Sequence, residues 1–188
     1  MVNKPVVIVD VDNTLFDYAA ELHKELCKVC KDIPTPENWN DWNFYTKYMS
    51  KKQFFEAVGR AHERQMDFKP FEDAKEFLVC LSKSYRVCVA SHRENRFLDV
   101  TKNWLDKYEL YYDEVCVLPD KSKLFNKMVK LVVDDSPHII QEAEKNSIRV
   151  CAISYPWNRV MSGNGCIMGN SLSEVYSKLE SLDEKEGN

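Results

Sequence analysis

Two aspartates one residue apart follow an apolar run near the N-terminus. The run over residues 6–9 is made of Val and Ile, which is typical of a buried strand. Because side chains alternate along an extended chain, Asp10 and Asp12 point the same way. Adjacent carboxylates repel each other unless a cation lies between them or one keeps a proton, and such hard oxygen ligands suit Mg²⁺. The sequence therefore predicts a metal and phosphate site at the carboxyl end of the first strand.

Further polar residues stand at the ends of two later apolar runs and in a basic patch between those runs. In chain order they are Ser91, Lys121, Lys123, Asp134 and Asp135. In α/β proteins the carboxyl ends of parallel strands meet at the edge of the sheet that holds ligands. The whole set is thus expected at one site.

These segments, taken in order, resemble the four motifs of the haloacid dehalogenase superfamily, most of whose members are phosphatases. The first motif is the stretch from Asp10 to Thr14, with its carboxylates one residue apart. The resemblance covers about residues 6–160, although residues 17–80 match only in kind. One motif alone is a weak signal, whereas four in the right order, each at a predicted strand end, form a strong joint one.

The resemblance implies a reaction in two displacements. Asp10 would be the nucleophile and form an aspartyl-phosphate. Asp12 would protonate the leaving alcohol and then deprotonate the water that hydrolyses the intermediate. Mg²⁺ would be held by Asp10, by Asp134 and by the backbone carbonyl of Asp12.

The resemblance also assigns the groups that surround the phosphate. Ser91, Lys121 and Asn13 are the expected phosphate-binding residues, with Lys123 left open as the alternative lysine. Asp135 would hold the metal-ligating residues in position without being a ligand itself. Asn13 stands where many relatives have Gly, and Asn tolerates unusual backbone angles.

Other charged residues near the motifs receive no catalytic role. For Arg93, an ion pair that ties down its loop is favoured over a contact with the substrate phosphate. His92 and His138 are interpreted as surface or loop residues. No chemistry is assigned to His23 or His62, which fall in the predicted helices between the first and second strands.

The order of elements predicts a parallel α/β sheet covered by helices on both faces. Capping residues place helices from Ser50 to about 66, from Pro70 to 81 and from Ser171 onward, before a frayed tail at 183–188. From residue 85 the pattern alternates, with predicted strands at 85–90, 114–118, 131–134 and 148–153 and predicted helices at 94–108, 122–129 and 137–146. The resemblance makes this a Rossmann-like three-layer core, residues 1–16 and 70–188, with a helical cap at 17–69.

Substrate choice is assigned to the cap, which is dense in aromatic residues. Trp39, Trp42 and Phe44 are the candidates for contact with a nucleobase, since base–aromatic stacking is worth about 1–3 kcal/mol. The arrangement resembles the 5'(3')-deoxyribonucleotidases, as does the segment from Tyr155 to Arg159. Two alternatives stay open: the aromatic residues pack the cap's own interior, or the substrate is a sugar phosphate or another small phosphomonoester.

Composition and charge limit the classes of partner and the cellular location that are expected for this chain. Net charge is −4 with dispersed basic residues, so a polynucleotide substrate is disfavoured. No apolar stretch approaches the roughly 20 residues of a membrane span, and no signal-peptide pattern precedes the first strand. Seven cysteines, mostly within apolar runs, favour a reducing compartment and a cytoplasmic location. A homodimer is left open, as is a catalytically silent relative that binds a phosphorylated ligand.

Overall fold

Six parallel strands form one sheet in the computed structural model, which describes residues 4–163 and 165–186. The strands are β1 (Val6–Val9), β2 (Arg86–Ser91), β3 (Glu114–Val117), β4 (Val129–Val133), β5 (Arg149–Ile153) and β6 (Ile167–Gly169). Their order across the sheet is β3-β2-β1-β4-β5-β6. This is the doubly wound order of a Rossmann-like fold, in which strands are added on one side of β1 as far as β3 and then, from β4 onward, on its other side. The predicted α/β class and parallel sheet are confirmed.

Helices cover both faces of the sheet. They are α1 (Tyr18–Cys27), α2 (Lys51–Glu63), α3 (Ala74–Ser84), α4 (Leu98–Lys107), α5 (Pro137–Lys145) and α6 (Leu172–Glu186). Residues alternate along β1, so Val7 and Val9 pack in the larger core with α3, α4 and α6, whereas Ile8 packs in a second core with α5. Both sides of a nearly continuous apolar strand are therefore buried, as parallel sheets require.

The segment between β1 and α3 is helical, and its two helices α1 and α2 pack against each other. Ala57 and Ala61 are buried on α2 and let the two helices approach closely. The buried carboxylate of Glu25 on α1 accepts hydrogen bonds from Arg60 on α2 and from Arg64 just after it. The capping box predicted at Ser50 is present, with reciprocal bonds between Ser50 and Gln53.

Three predictions about the elements are corrected, and one strand is added. The helix predicted from Pro70 begins only at Ala74, because the Phe71 N–H donates to the Leu15 carbonyl and keeps this segment against the first loop. The helix predicted at 122–129 is one 3-10 turn, Lys121–Leu124, since Asn126 closes a further turn before β4 by accepting from the Met128 N–H. Strand β6 was not predicted. The tail is helical through 186, and residues 187–188 lie outside the described residues.

Candidate active site

The loop after β1 is built around a left-handed residue. Asn13 has φ of +58°, a conformation that Asn tolerates better than most residues. Its side-chain oxygen accepts from the Ala19 N–H at 2.7 Å, and its amide donates to Asp135 Oδ2 at 3.2 Å. Asn13 therefore connects the end of β1 both to the start of α1 and to the acidic residues after β4.

Three buried carboxylates and one ammonium meet at the ends of β1 and β4. Ligand oxygens of Asp10, Asp134 and Asp135 lie within 4.8 Å of one another. Lys121 Nζ is 2.5 Å from Asp10 Oδ1 and 2.5 Å from Asp134 Oδ2. Asp134 Oδ1 accepts from the Ser136 N–H at 2.9 Å, so its other oxygen is turned toward the lysine. Lys123, by contrast, is exposed.

The acid cluster, meaning Asp10, Asp134 and Asp135, carries more negative charge than Lys121 can balance. Burial and repulsion from Asp134 and Asp12 outweigh the attraction of Lys121 and raise the pKa of Asp10 to about 7. Burial and repulsion from Asp10 and Asp134 raise the pKa of Asp135 well above its ordinary value. Asp10 and Asp134 in turn raise the pKa of Lys121 in spite of its burial. A cluster of this composition fits a divalent cation held by carboxylate oxygens.

Asp12 lies among donors rather than acids. Arg93 forms a two-pronged ion pair with it, Nε to Oδ2 at 3.2 Å and Nη2 to Oδ1 at 2.5 Å. His62 Nε2 is 3.1 Å from Oδ2, and Ser91 Oγ donates to the same oxygen at 3.4 Å. Burial acts to raise the pKa of Asp12, but Arg93 and His62 overcome it and hold this pKa well below its ordinary value.

Arg93 is itself held in place by two further residues. Its Nη1 donates to Gln65 Oε1 and, at 2.9 Å, to Thr101 Oγ1. The guanidinium is fully buried and its side chain forms an ion pair, as favoured from the sequence. The position two residues after Ser91 therefore serves to fix Asp12.

A cavity of about 490 Å³ opens above the strand ends. Its lining includes Asp10, Asp12, Asn13 and Lys121 together with aromatic rings from the segment between β1 and α3. Those rings are Tyr18, Trp39, Phe44, Tyr45, Phe54, Phe55 and Trp42, joined by Trp157 from the loop after β5. The volume lies in the range of about 300–1,000 Å³ that is usual for small-molecule sites.

The three cap residues proposed from the sequence all line this cavity, in different settings. Trp39 is buried, donates from Nε1 to the Pro34 carbonyl at 2.8 Å and stacks on Phe44 with centroids 4.0 Å apart. Trp42 is 47% exposed. Trp39 and Phe44 thus pack against each other within the segment between β1 and α3 and line the cavity as well.

Sequence reasoning did not foresee two contributors to the site. His62 lies on α2, fifty residues from its partner Asp12, and its position in a helix gave no signal of this contact. Trp157 donates from Nε1 to Asp135 Oδ2 at 2.9 Å and stacks on Tyr155 with centroids 4.5 Å apart. Its segment had been noted only for its resemblance to nucleotidases. His92 and His138 also line the cavity, whereas Ser91 is buried behind Asp12.

Comparisons with known proteins agree with this geometry. The family model for "5' nucleotidase, deoxy (Pyrimidine), cytosolic type C protein" matches residues 4–181. No curated protein sequence matches the chain.

Solved structures of haloacid dehalogenase-like proteins share the fold. One from Streptococcus pneumoniae is 17% identical with a TM-score of 0.66, and the match covers 95% of this chain and 100% of that one. One from Agrobacterium tumefaciens is 14% identical with a TM-score of 0.67, covering 96% and 100%. One from Bacillus subtilis, bound to magnesium, is 13% identical with a TM-score of 0.60, covering 94% and 99%.

The family match spans nearly the whole chain, and the structural neighbours share its fold. Both agree with a site in which paired aspartates after β1 face a lysine and the acids after β4. The protein is a phosphatase of the haloacid dehalogenase superfamily and belongs to the family of the cytosolic type C 5' nucleotidases.

Proposed function

We propose that this protein is a Mg²⁺-dependent phosphomonoesterase that hydrolyses (deoxy)nucleoside monophosphates through an aspartyl-phosphate on Asp10. The proposal depends chiefly on one cavity that is lined both by the charged groups of Asp10 and Lys121 and by aromatic rings. A nucleoside monophosphate carries a matching pair of groups, a phosphate and a flat base. The family description, which names deoxy and pyrimidine nucleotidase activity, supports this substrate class.

The base is bound by the cap and by the loop after β5. Trp42 and Trp157 line the cavity with rings 6.4 Å apart at an angle of 63°. Flat apolar walls of this kind favour a base over a polyol, whose hydroxyls would need polar partners. In this proposal residues 17–69 form the cap and residues 1–16 and 70–188 form the catalytic core.

The phosphate is bound at the carboxyl ends of β1 and β2. Lys121 balances the charge of Asp10 and of the substrate, and the Ser91 hydroxyl turns from Asp12 to a phosphate oxygen. The Asn13 side chain already makes hydrogen bonds to Asp135 and to the Ala19 N–H. In this proposal the turn around Asn13 therefore binds the phosphate through its backbone N–H groups.

The reaction then uses the two first-motif aspartates in turn. Asp10 attacks phosphorus while the ester P–O bond breaks, and the proton of Asp12 passes to the departing alcohol oxygen. Asp12 next removes a proton from water as that water attacks phosphorus and releases Asp10 and inorganic phosphate. Negative charge from the bound substrate lies close to Asp12 and raises its pKa from the low value of the free protein, so that it can carry this proton.

Mg²⁺ is the cation that the acid cluster fits best. Asp10, Asp134 and the Asp12 carbonyl are the proposed ligands. Asp135 accepts hydrogen bonds from Asn13 and Trp157 and lies close enough to the other two acids to position them or to bind the ion itself. The ion would neutralise the phosphate so that an anionic nucleophile can approach it.

A cytoplasmic location is part of the same proposal. The seven cysteines are free thiols, and the family description includes the word cytosolic. None of the helices in the described part of the chain has the length and hydropathy to span a bilayer.

The test is phosphate release from a panel of nucleoside monophosphates and sugar phosphates, with Mg²⁺ or with EDTA. The expected result is Mg²⁺-dependent release that favours nucleotides and disappears in Asp10→Asn. Turnover of sugar phosphates alone would keep the chemistry and contradict the assigned substrate. Ligand binding without any release would identify a silent relative instead.

A further inference from the structure

His62 is the residue through which the cap segment reaches the proton-transfer group of the core. It lies in the last turn of α2, is 5% exposed and lines the cavity. Its Nε2 is 3.1 Å from Asp12 Oδ2. Three residues further on, Gln65 accepts from Arg93. The end of α2 and the 3-10 turn that follows it therefore contact both members of the Asp12–Arg93 ion pair.

The imidazole ring is fixed from two sides. Tyr18 stacks on it with centroids 5.0 Å apart and planes at 24°. Phe97 meets it edge-on at 5.3 Å and 68°. A ring held in this way has little freedom to rotate, so the direction of its Nε2 is set by packing rather than by Asp12.

The direction of the hydrogen bond follows from the charge of its partner. The two-pronged contact with the Arg93 guanidinium is the geometry of a carboxylate, and a carboxylate can only accept hydrogen bonds. The His62 Nε2–H group therefore donates the hydrogen bond to Asp12 Oδ2.

The donors around Asp12 are unevenly shared between its two oxygens. Oδ2 faces His62, Ser91 and Arg93 Nε, whereas among the described residues one donor, Arg93 Nη2, reaches Oδ1. With Oδ2 surrounded by donors, a proton that Asp12 transfers is carried on Oδ1. The contact from the cap thus adds a donor to Oδ2 and leaves Oδ1 as the oxygen with fewer donors.

We infer that His62 is a positioning residue that orients Asp12 for proton transfer to the leaving alcohol. The inference rests on the proposed function, because it requires Asp12 to be the proton donor. It assigns to the cap a part in the chemistry in addition to its contacts with the substrate.

The test compares His62→Phe with His62→Gln. Phenylalanine keeps a ring between Tyr18 and Phe97 and removes the donor, whereas glutamine keeps an N–H donor and removes the ring. His23→Phe is the matched control, since His23 lies on α1 beside Cys27, away from Asp12. Thermal unfolding of each variant is measured alongside the kinetics.

The readout is kcat/KM for 4-nitrophenyl phosphate, phenyl phosphate and benzyl phosphate, whose leaving groups grow more basic in that order. The more basic a leaving oxygen, the more it depends on proton donation. In His62→Phe we expect a loss of about tenfold for benzyl phosphate and of less than about twofold for 4-nitrophenyl phosphate. His62→Gln restores most of the loss, and His23→Phe matches the wild type on all three substrates.

An equal loss on all three substrates, or no loss, would overturn the inference, because a packing defect does not depend on the leaving group. If His62→Phe does not fold, an equal loss across the series in His62→Gln overturns it as well. The three probes contain no nucleoside. If the wild type hydrolyses them but no nucleotide, the proposed substrate fails and His62 is still tested. If the wild type releases phosphate from none of them, the inference fails together with the proposed chemistry.

Discussion

Asp10 and Asp12 are separated by one residue at the end of β1, and their surroundings are electrostatically opposite. Asp10 shares Lys121 with Asp134 and lies near Asp135, so negative charge is in excess. Asp12 has an ion pair with Arg93 and further donors around it, so positive charge and N–H groups are in excess. The pKa of Asp10 is raised to about 7 and that of Asp12 is lowered.

This difference indicates that the two carboxylates interact with different partners. The environment of Asp10 needs a cation, which suits a nucleophile beside a bound metal. The environment of Asp12 is satisfied without one and keeps the carboxylate in a fixed direction. Pairs of titratable groups whose surroundings push their pKa values apart are a mark of separate acid–base roles.

The largest expected effect is that of Asp10→Asn on turnover. Without the nucleophile, kcat should fall by at least about a thousandfold. The melting temperature should change by no more than about 2 °C, because Lys121 keeps Asp134 as a partner and the cluster loses one repelling charge. Phosphate release and calorimetry on the same sample check this. A large loss of stability would show that Asp10 holds the fold together.

Asp12→Asn should reduce both activity and stability. Loss of the proton donor lowers kcat by about a hundredfold for a nucleotide substrate. The Arg93 side chain, fully buried, would lose its charged partner, which costs about 3–5 kcal/mol. Denaturant unfolding measures the second effect.

The matched control for this variant is the exposed carboxylate of Glu114, which pairs with Arg86 at the surface. Glu114→Gln should change the free energy of unfolding by less than about 1 kcal/mol. If Asp12→Asn is no less stable than Asp10→Asn, the two carboxylates do not differ as described.

Trp42→Ala should affect nucleotide binding alone. Trp42 is 47% exposed and lines the cavity, so its loss should raise KM for a nucleotide about tenfold, the equivalent of one stacking contact. KM for 4-nitrophenyl phosphate and the melting temperature should hardly change. Trp39→Ala, at a buried position, should instead destabilise the protein by about 3 kcal/mol. Equal effects on both substrates in Trp42→Ala would remove this residue from base recognition.

The smallest effect concerns pH and Mg²⁺. Asp10 has a pKa of about 7 in the folded protein against an ordinary 3.8. Between pH 3.8 and about 7 the native state keeps a proton on Asp10 that the unfolded chain has lost. The free energy of unfolding of the metal-free protein therefore falls as pH rises through this range. Mg²⁺ must displace that proton, so it should raise the melting temperature by a few degrees more at pH 8 than at pH 6. Asp134→Asn should abolish the shift. A larger shift at pH 6 would contradict the raised pKa.

The fold was predictable from the sequence because most of its elements carry local signals. Apolar runs rich in Val mark β1, β2 and β4, and Ser50 caps α2 with a complete capping box. Strand β6 has three residues, too few for a pattern, and its place depends on pairing with β5. The start of α3 was wrong because a hydrogen bond from Phe71 to the distant Leu15 decides it.

The candidate site was predictable where its residues follow strands. Asp10, Ser91 and Asp134 stand at strand ends, and parallel topology brings such ends together. Lys121 could not be separated from Lys123 by sequence, since the single 3-10 turn that points one inward and leaves the other exposed has no clear signal. His62 reaches Asp12 only through the packing of α2 against α1, which depends on tertiary contacts.

The most direct measurement is the intact mass of Asp12→Asn after mixing with 4-nitrophenyl phosphate and Mg²⁺. This leaving group needs little proton donation, so Asp10 can still be phosphorylated, while hydrolysis of the intermediate lacks its base. The protein should gain the mass of one phosphoryl group, and peptide mapping should place that group on Asp10. A phosphoryl group on another residue, or turnover with no covalent phosphate at any time, would contradict the separate roles of Asp10 and Asp12.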